Sequence, residues 1–536
     1  MTLDRLIEAL SDPAAYPEPV EEVEVRQTHI SVVFLAGAHV YKVKKPVELG
    51  FVDYGTREKR RHYCEEEVRL NRRLAPHVYL GVVPVTGDRG ALRVEGEGEA
   101  VEWAVKMRRL PEEALLHERL RRGEVGQELV EALARRIATF HAGAESGGPI
   151  ADCGRFETVA RNARENFQQA ASQVGTTLSR PVFERLQAVT EAALQRHRER
   201  IEARAGRGVP RDTHGDLRLE HVYVFPDRSP PDDLVIVDCI EFAARYRYAD
   251  PVSDMAFLAM DLKIRGREDL ARRLWASYFA ASGDVDGPTL VPFYVAYRAA
   301  VRGKVHGFKA AAAEVPEAQR AAALVQARGH WLLALGELEA PENRPALVLI
   351  GGLPGTGKST LGRALAGRAG FTQIRSDVVR KELVDAAPRP DPSFEAGIYT
   401  ADWTERTYAE CLRRAEALLF EGRRVLIDAS FRADAMRQRS LEAARRWGVP
   451  GLLLICRAGP EVVRERLARR RDDASDADWS IHRALAGRWE EPGPSTDPLV
   501  RDVATGGDRT ATLAQALDAL RERGLYPETD DPDRAG

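Results

Sequence analysis

The 536-residue chain has little cysteine, no long apolar run and almost no excess of either charge. Its five cysteines (Cys64, Cys153, Cys239, Cys411 and Cys456) lie far apart and form no C-x-x-C pair. That spacing argues against a disulfide framework and a thiolate zinc site, and it suits a reducing compartment. No segment approaches the ~20 consecutive apolar residues needed to cross a bilayer. The opening MTLDRLIEALSD carries acids and lacks an apolar core, so a secretory signal is not expected there. A net charge of -3 gives no global pull toward nucleic acid. A basic channel interleaved with aromatics is also missing. Internal repeats are absent. A cytoplasmic protein is expected, with no membrane, no obligate protein partner and no preference for nucleic acid.

What is present is ordinary globular material, 44% hydrophobic and 30% charged. The length exceeds what one core supports, so two large units are expected. The clearest seam is ELEAPENRPA, roughly residues 337–346, which is polar and holds two prolines. It separates residues 1–340 from 345–525, and residues 526–536 read as a disordered polar tail.

Just beyond the seam, residues 347–360 read LVLIGGLPGTGKST. Gly352, Gly357, Lys358 and Ser359 fill the fixed positions of G-x-x-x-x-G-K-S/T, the phosphate-binding loop of nucleotide hydrolases and kinases. An apolar run, Ala346 to Ile350, reads as a buried strand before the loop, and a helix begins at Thr360. The whole loop is expected to wrap a nucleotide's phosphates: Gly352, Leu353, Pro354, Gly355, Thr356, Gly357, Lys358, Ser359 and Thr360. Its amides would face the anion at a helix N-terminus, Lys358 would reach the terminal phosphates, and Ser359 would ligate Mg2+. The segments FTQIRSD, RRVLIDAS and GLLLICR then alternate with helices, the rhythm of a parallel sheet wrapped by helices.

Four further clusters accompany this loop. IRSDVVRKEL sets Asp377 and Arg380 on one face of a helix's first turn. Asp377 can take a proton from an acceptor hydroxyl, and Arg380 can fix an acceptor or transferring phosphate. An N-cap aspartate with a surface arginine is the plain alternative. Asp428 ends the apolar strand of RRVLIDASF, with Ser430 beyond it; it is placed near Mg2+ or its waters, or is simply a strand-end turn residue. The helix EVVRERLARRRDD carries Arg464, Arg466, Arg469, Arg470 and Arg471, a candidate lid over the phosphates. Tyr399, Trp403 and Tyr408 belong either to an acceptor pocket or to the core. The D-x-x-R pair and the D-x-S/T strand end resemble the polynucleotide-kinase and zeta-toxin group of P-loop kinases.

The first 340 residues differ in character. EVRQTHISVVFLAGAHVYKVKKPV holds two alternating runs joined by AGA, which predicts a hairpin. A charged helix and further strands follow, and from about Glu124 the pattern is mainly helical. His214-Gly215-Asp216 precedes His221, and Asp238 ends the run LVIVD. One carboxylate to orient a hydroxyl and another to hold Mg2+ suit phosphoryl transfer. This constellation resembles the aminoglycoside phosphotransferase family, small-molecule relatives of protein kinases whose loop reads H-G-D-x-x-x-x-N. The resemblance places Asp216 as the base, Asp238 as the metal ligand, Lys42 as the phosphate-contacting lysine and Glu67 as its helix partner. LARRIATFHA and ADPVSDMAFL look like two more of that family's segments, which makes Asp250 and Asp254 structural. His221 stands where the family has its second metal ligand, an Asn, and no G-x-G-x-x-G cover is present. In the plain alternative Lys42, Lys44 and Lys45 form a solvated strand edge, and Glu65 to Glu67 an exposed helix face.

Over nearly its full length the chain resembles bifunctional fusions of an aminoglycoside phosphotransferase-like domain with a P-loop kinase of the AAA, polynucleotide-kinase and zeta-toxin type. That implies an α/β two-domain protein. Its N-terminal half would be a protein-kinase-like bilobal α+β domain and its C-terminal half a P-loop α/β domain with a parallel sheet. It implies ATP and Mg2+ as cofactors and a small-molecule hydroxyl as acceptor. Two other expectations stand beside this one: an inactive N-terminal binding or regulatory module, and a polynucleotide 5′-hydroxyl kinase.

Overall fold

The computed structural model of the chain describes residues 2–49, 52–88, 91–385, 400–469 and 478–528. Two compact units emerge. The first comprises Met1–Ala160, His197–Leu262 and Glu268–Val291, and the second Arg161–Arg196, Lys263–Arg267 and Pro292–Gly536.

The first unit opens on a six-stranded antiparallel sheet. Its strands are β1 (Val23–Gln27), β2 (Ser31–Ala36), β3 (His39–Lys44), β4 (Tyr79–Asp88), β5 (Ala91–Val94) and β6 (Ala100–Arg108), in the order β1-β2-β3-β6-β4-β5. The AGA hairpin joins β2 to β3, with Gly37 in the turn at φ 57°. EVRQ adds β1 outside that hairpin. Alternate residues Val32, Phe34, Tyr41 and Val43 point into a core closed by Leu6 and Leu10 of the first helix. Opposite that core, the helix Arg57–Asn71 carries Cys64, Glu67 and Val68 inward against the sheet. A mainly helical portion follows, with a short antiparallel pair, β7 (Val222–Val224) and β8 (Leu234–Ile236), set among the helices.

The second unit is built on a five-stranded, fully parallel sheet. Its strands are β9 (Ala346–Gly351), β10 (Thr372–Arg375), β11 (Arg424–Asp428), β12 (Gly451–Arg457) and β13 (Val500–Ala504), in the order β10-β11-β9-β12-β13. β9 is central, and all six of its residues are buried, as a strand covered on both faces requires. One face packs on the helices Lys358–Ala369 and Arg509–Glu522, where Val348, Ile350, Leu365, Leu426 and Leu520 interlock.

The compact units do not divide at the polar seam. Helices Val291–Ala311 and Glu317–Leu338, with residues 161–196, pack into the P-loop unit. Arg185 shows how: it donates to Glu339 at 3.0 Å, to the Gly422 carbonyl at 2.8 Å and to the Asn343 carbonyl at 3.1 Å. At the other end, Tyr526 is buried in the sheet's core under Arg521, so order runs past Leu525. Residues 529–536 of the expected tail lie outside the described residues.

Candidate active sites

The loop after β9 turns sharply into the helix Lys358–Ala369. Gly352, Gly355 and Gly357 take φ values of 138°, 82° and 96°, conformations that L side chains rarely adopt. A Cβ on Gly355 would sit 2.8 Å from Val463 and 2.9 Å from Leu467, so the loop also requires glycine for space. The Lys358 ammonium curls back and donates to the Leu353 carbonyl at 3.0 Å. Thr356 donates to the same carbonyl at 2.8 Å, and Thr505 Oγ1 donates to the Thr356 carbonyl at 2.5 Å. Thr505, beyond β13, braces the loop from a distant part of the chain and was invisible in the sequence.

Asp428 ends β11 beside this loop, where β9 and β11 run in parallel register with Ile350 opposite Asp428. Its carboxylate accepts from Gln373 Nε2 at 3.3 Å, and the Ser359 hydroxyl is near enough to lower its pKa. Burial raises its pKa, and the nearby Lys358 ammonium opposes that shift only in part. A hydroxyl, a carboxylate and an ammonium thus converge at a helix N-terminus, a donor set that fits Mg2+ and a phosphate chain. Asp377 and Arg380 sit in the helix Ser376–Asp385 that follows β10. Asp377 is close enough for its charge to act on Asp428, and buried Arg380 acts on Tyr408.

Tyr408 is buried and belongs to the core, with a role. Its hydroxyl lies 3.1 Å from Ser430 Oγ and accepts from the Phe431 amide at 2.9 Å. Phe431 is held at a left-handed φ of 45°, while Arg437 donates to its carbonyl at 2.7 Å. Trp403 is only half-buried, beneath Arg406. Of the lid arginines, Arg464 and Arg469 are exposed, and Arg469 pairs with Glu465. Arg466 turns to the loop, donating through Nη2 to the Thr505 carbonyl at 2.7 Å. Its Nη1 is buried without a hydrogen-bond partner, 3.4 Å from where a Cβ on Gly357 would stand. His482, unforeseen, donates through Nδ1 to the Pro354 carbonyl at 2.8 Å and stacks on Trp479. Tyr399, Arg470 and Arg471 lie outside the described residues.

The second constellation gathers Lys42, Glu67, Asp216, His221 and Asp238 in the first unit. Lys42 leaves β3 and places Nζ 2.9 Å from Glu67 Oε1 and 2.8 Å from Asp238 Oδ1. Only the Asp238 contact is an aligned hydrogen bond; Glu67 Oε1 has none. The hydrogen bond to Glu67 comes instead from Lys44, which is fully buried and also binds Glu241. The solvated strand edge and exposed helix face do not hold for Lys44 or Glu67, because each cation is matched to a buried carboxylate.

Asp238 follows β8 with a left-handed backbone, φ 64°, which Asp tolerates better than most residues. Its amide donates to Tyr79 Oη at 3.1 Å, and the next amide, of Cys239, donates to Asn71 Oδ1 at 2.8 Å. The side chain is 49% exposed yet densely surrounded. Desolvation would raise its pKa; Lys42, then His221, override this and hold the carboxylate well below the usual range. His221 Nδ1 lies 2.8 Å from the Asp216 carbonyl, and Nε2 lies 3.6 Å from Asp238 Oδ2. Asp216 and Asp238 therefore flank one imidazole.

The loop that presents Asp216 is fixed from below. Gly215 turns at φ 86°, where a Cβ would meet the Tyr246 carbonyl at 3.1 Å. The His214 and Gly215 amides donate to the two oxygens of Asp254 at 3.1 and 2.8 Å. His141 reaches Asp254 at 3.1 Å, and burial pushes the His214 imidazole down to about 4, so it stays neutral. Asp250 pairs with Arg204 at 2.6 Å. Among the described residues no group of three or more His, Cys, Asp or Glu is arranged to hold a metal unaided. Asp238 with phosphate oxygens and water still fits Mg2+, which keeps water and takes few protein ligands. Also among the described residues, no helix is long and apolar enough to cross a membrane.

The fold and loop geometry of the second unit define a P-loop nucleotide-binding domain. A family model described as "AAA domain" matches residues 347–492, the same region. The "Uncharacterized protein Rv2004c" of Mycobacterium tuberculosis is 34% identical over 501 residues, covering 93% of this chain and 95% of that protein. The chain belongs to the family of that mycobacterial protein. Among solved structures it is similar to a choline/ethanolamine kinase family protein from Mesorhizobium loti, 16% identical, with a TM-score of 0.39. That match covers 63% of this chain and 96% of the other. It is also similar to a gluconokinase from Sinorhizobium meliloti 1021, 18% identical with a TM-score of 0.26, over 34% of this chain and 94% of that one.

Proposed function

We propose that the chain is an ATP- and Mg2+-dependent phosphotransferase with two kinase-like centres, each acting on the hydroxyl of a small molecule in the cytoplasm. The observation that carries this reading is the convergence of Lys358, Ser359 and Asp428 at one end of a parallel sheet. Such a site has its donors in place before a phosphate arrives, which is how phosphoryl transfer is accelerated. Mg2+, held by Ser359 near Asp428, would offset phosphate charge. Asp377 would accept the proton of the attacking hydroxyl, while Lys358 and Arg466 meet the charge on the transferred group. The acceptor oxygen gains the γ-phosphoryl and ADP leaves.

In the first unit the roles are analogous and follow the likeness to aminoglycoside phosphotransferases. Asp216 would take the hydroxyl proton, Asp238 the metal and Lys42 the phosphates, with His221 as an auxiliary ligand. Asp254 supports this arrangement by fixing the loop at both the His214 and Gly215 amides.

The test is a screen of cell metabolites with the full chain, following γ-phosphate from ATP into products by mass spectrometry. Lys358→Ala and Asp216→Ala are each expected to remove a different product. Unchanged products with Asp216→Ala would reduce the first unit to a binding module. Unchanged products with Lys358→Ala would refute the P-loop centre, and phosphorylated RNA alone would turn the acceptor into a polynucleotide.

A further inference from the structure

Behind the first unit's centre lies a charge cluster that phosphoryl transfer does not by itself require. Lys44 is two residues beyond Lys42 on β3, and its side chain is 0% exposed. Its ammonium bridges Glu67 Oε2 and Glu241 Oε1. Glu241 also accepts from Tyr54 Oη at 2.6 Å, and the Lys44 ammonium stands 5.3 Å from the centre of that tyrosine ring. Glu241 is three residues past Asp238, on the same loop. Two buried carboxylates are therefore tied to one buried lysine, with Lys42 touching the outer oxygen of Glu67 without an aligned hydrogen bond.

The energetics decide which lysine does what. Burying an ion without a counter-charge costs several kcal/mol, and removing one partner of a buried pair leaves the other uncompensated. Were Lys44 absent, Glu67 and Glu241 would have only Lys42 nearby, and its ammonium would be drawn inward. A lysine so held could not leave Asp238 for a phosphate.

We propose that Lys44 is a positioning residue: by neutralising Glu67 and Glu241 it leaves the Lys42 ammonium free to pass from Asp238 to a bound nucleotide. The inference rests on the reading of the first unit as a nucleotide site. It assigns Lys44 no contact with nucleotide. Its effect is electrostatic, so it depends on the charge of Glu241 and disappears when that charge is removed.

The experiment uses the full chain with the P-loop silenced by Lys358→Ala, and measures Mg·ADP binding by calorimetry. Lys44→Met is expected to weaken binding about tenfold or more, the scale of a broken buried pair. Adding Glu241→Gln is expected to bring affinity back to within about threefold of the silenced parent, since Lys42 then faces no second uncompensated carboxylate and keeps only the Glu67 contact it already has. A role in packing alone would give no such rescue. Parent-like binding by Lys44→Met, or a Glu241→Gln addition that recovers nothing, overturns the proposal. Should Lys44→Met alone fail to fold, the double variant decides: binding within about threefold of the parent supports the proposal, and a tenfold loss or a failure to fold overturns it. A silenced parent that binds no Mg·ADP at all refutes the nucleotide site itself, and the inference falls with it.

Discussion

Ser359, at the end of the phosphate loop, stands against the carboxylate of Asp428 at the end of the neighbouring strand, near enough for its hydroxyl to pull the Asp428 pKa down. Burial raises the pKa of Asp428 despite Lys358 beside it. The folded chain thus holds this proton more tightly than the unfolded one, so the group favours folding at acid pH and loses that contribution as pH climbs through its folded value. Asp428→Asn carries no charge to bury. In buffer without Mg2+ or nucleotide it should melt above the parent near neutral pH, and the gap should close as pH falls below the ordinary carboxylate range. With Mg·ADP the order reverses, because affinity should drop about ten- to a hundredfold. Thermal melts across pH, with and without Mg·ADP, check both halves. A variant that melts below the parent without ligand contradicts the assignment.

His221 makes a prediction about metal choice. With Nδ1 engaged at the Asp216 carbonyl, Nε2 presents its lone pair toward Asp238 and any metal there. Imidazole suits Mn2+ better than the harder Mg2+, whose ligands are oxygens. His221→Asn should therefore lower the ratio of Mn2+- to Mg2+-supported kcat/KM at this centre by about threefold or more. Kinetics of the Lys358→Ala chain with each metal measure it. An unchanged ratio would mean that His221 touches no metal.

Much of this arrangement could be read from the sequence, and what could not has a common cause. The phosphate loop is a local pattern: Gly352, Gly357 and Lys358 are fixed by spacing alone, and the structure curls them as the pattern requires. Lys42, Glu67, Asp216 and Asp238 were legible by order along the chain and by family likeness. The second lysine on Glu67, Lys44, was not. Lys44 meets Glu241 across 197 positions, and only folding brings them together. Thr505 and His482 brace the phosphate loop across similar distances. The helices of residues 161–196 and 292–338 were recognisable as helices, but an apolar face does not say which core it covers.

Phe431 tests whether backbone strain beside the phosphate loop is worth its cost. A left-handed conformation costs a non-glycine residue about 1–2 kcal/mol. Phe431→Gly would relieve that, yet it removes a ring that is 1% exposed and packed edge-on against Tyr408. Losing such a ring costs about 3–5 kcal/mol. The larger effect should win, leaving the variant less stable by about 2 kcal/mol in denaturant titration. A stabilised variant would show that the strain outweighs the packing.

Among the lid arginines within the described residues, Arg466 and Arg464 should separate cleanly. Arg466 bonds the Thr505 carbonyl and keeps a buried Nη1 with no hydrogen-bond partner beside Gly357, whereas Arg464 is exposed. A guanidinium nitrogen buried without an acceptor is unfavourable unless an anion completes it, and a phosphate on the loop would do so. Its help should be greatest when charge builds on the transferred group. Arg466→Ala is therefore expected to lower kcat by roughly a hundredfold or more, with ADP affinity changing far less. Arg464→Ala should stay within about threefold, as exposed charges usually do. ATP hydrolysis by the Asp216→Ala chain isolates the P-loop centre for this comparison. Equal losses for the two variants would move the anion contact off Arg466 and onto the helix charge as a whole.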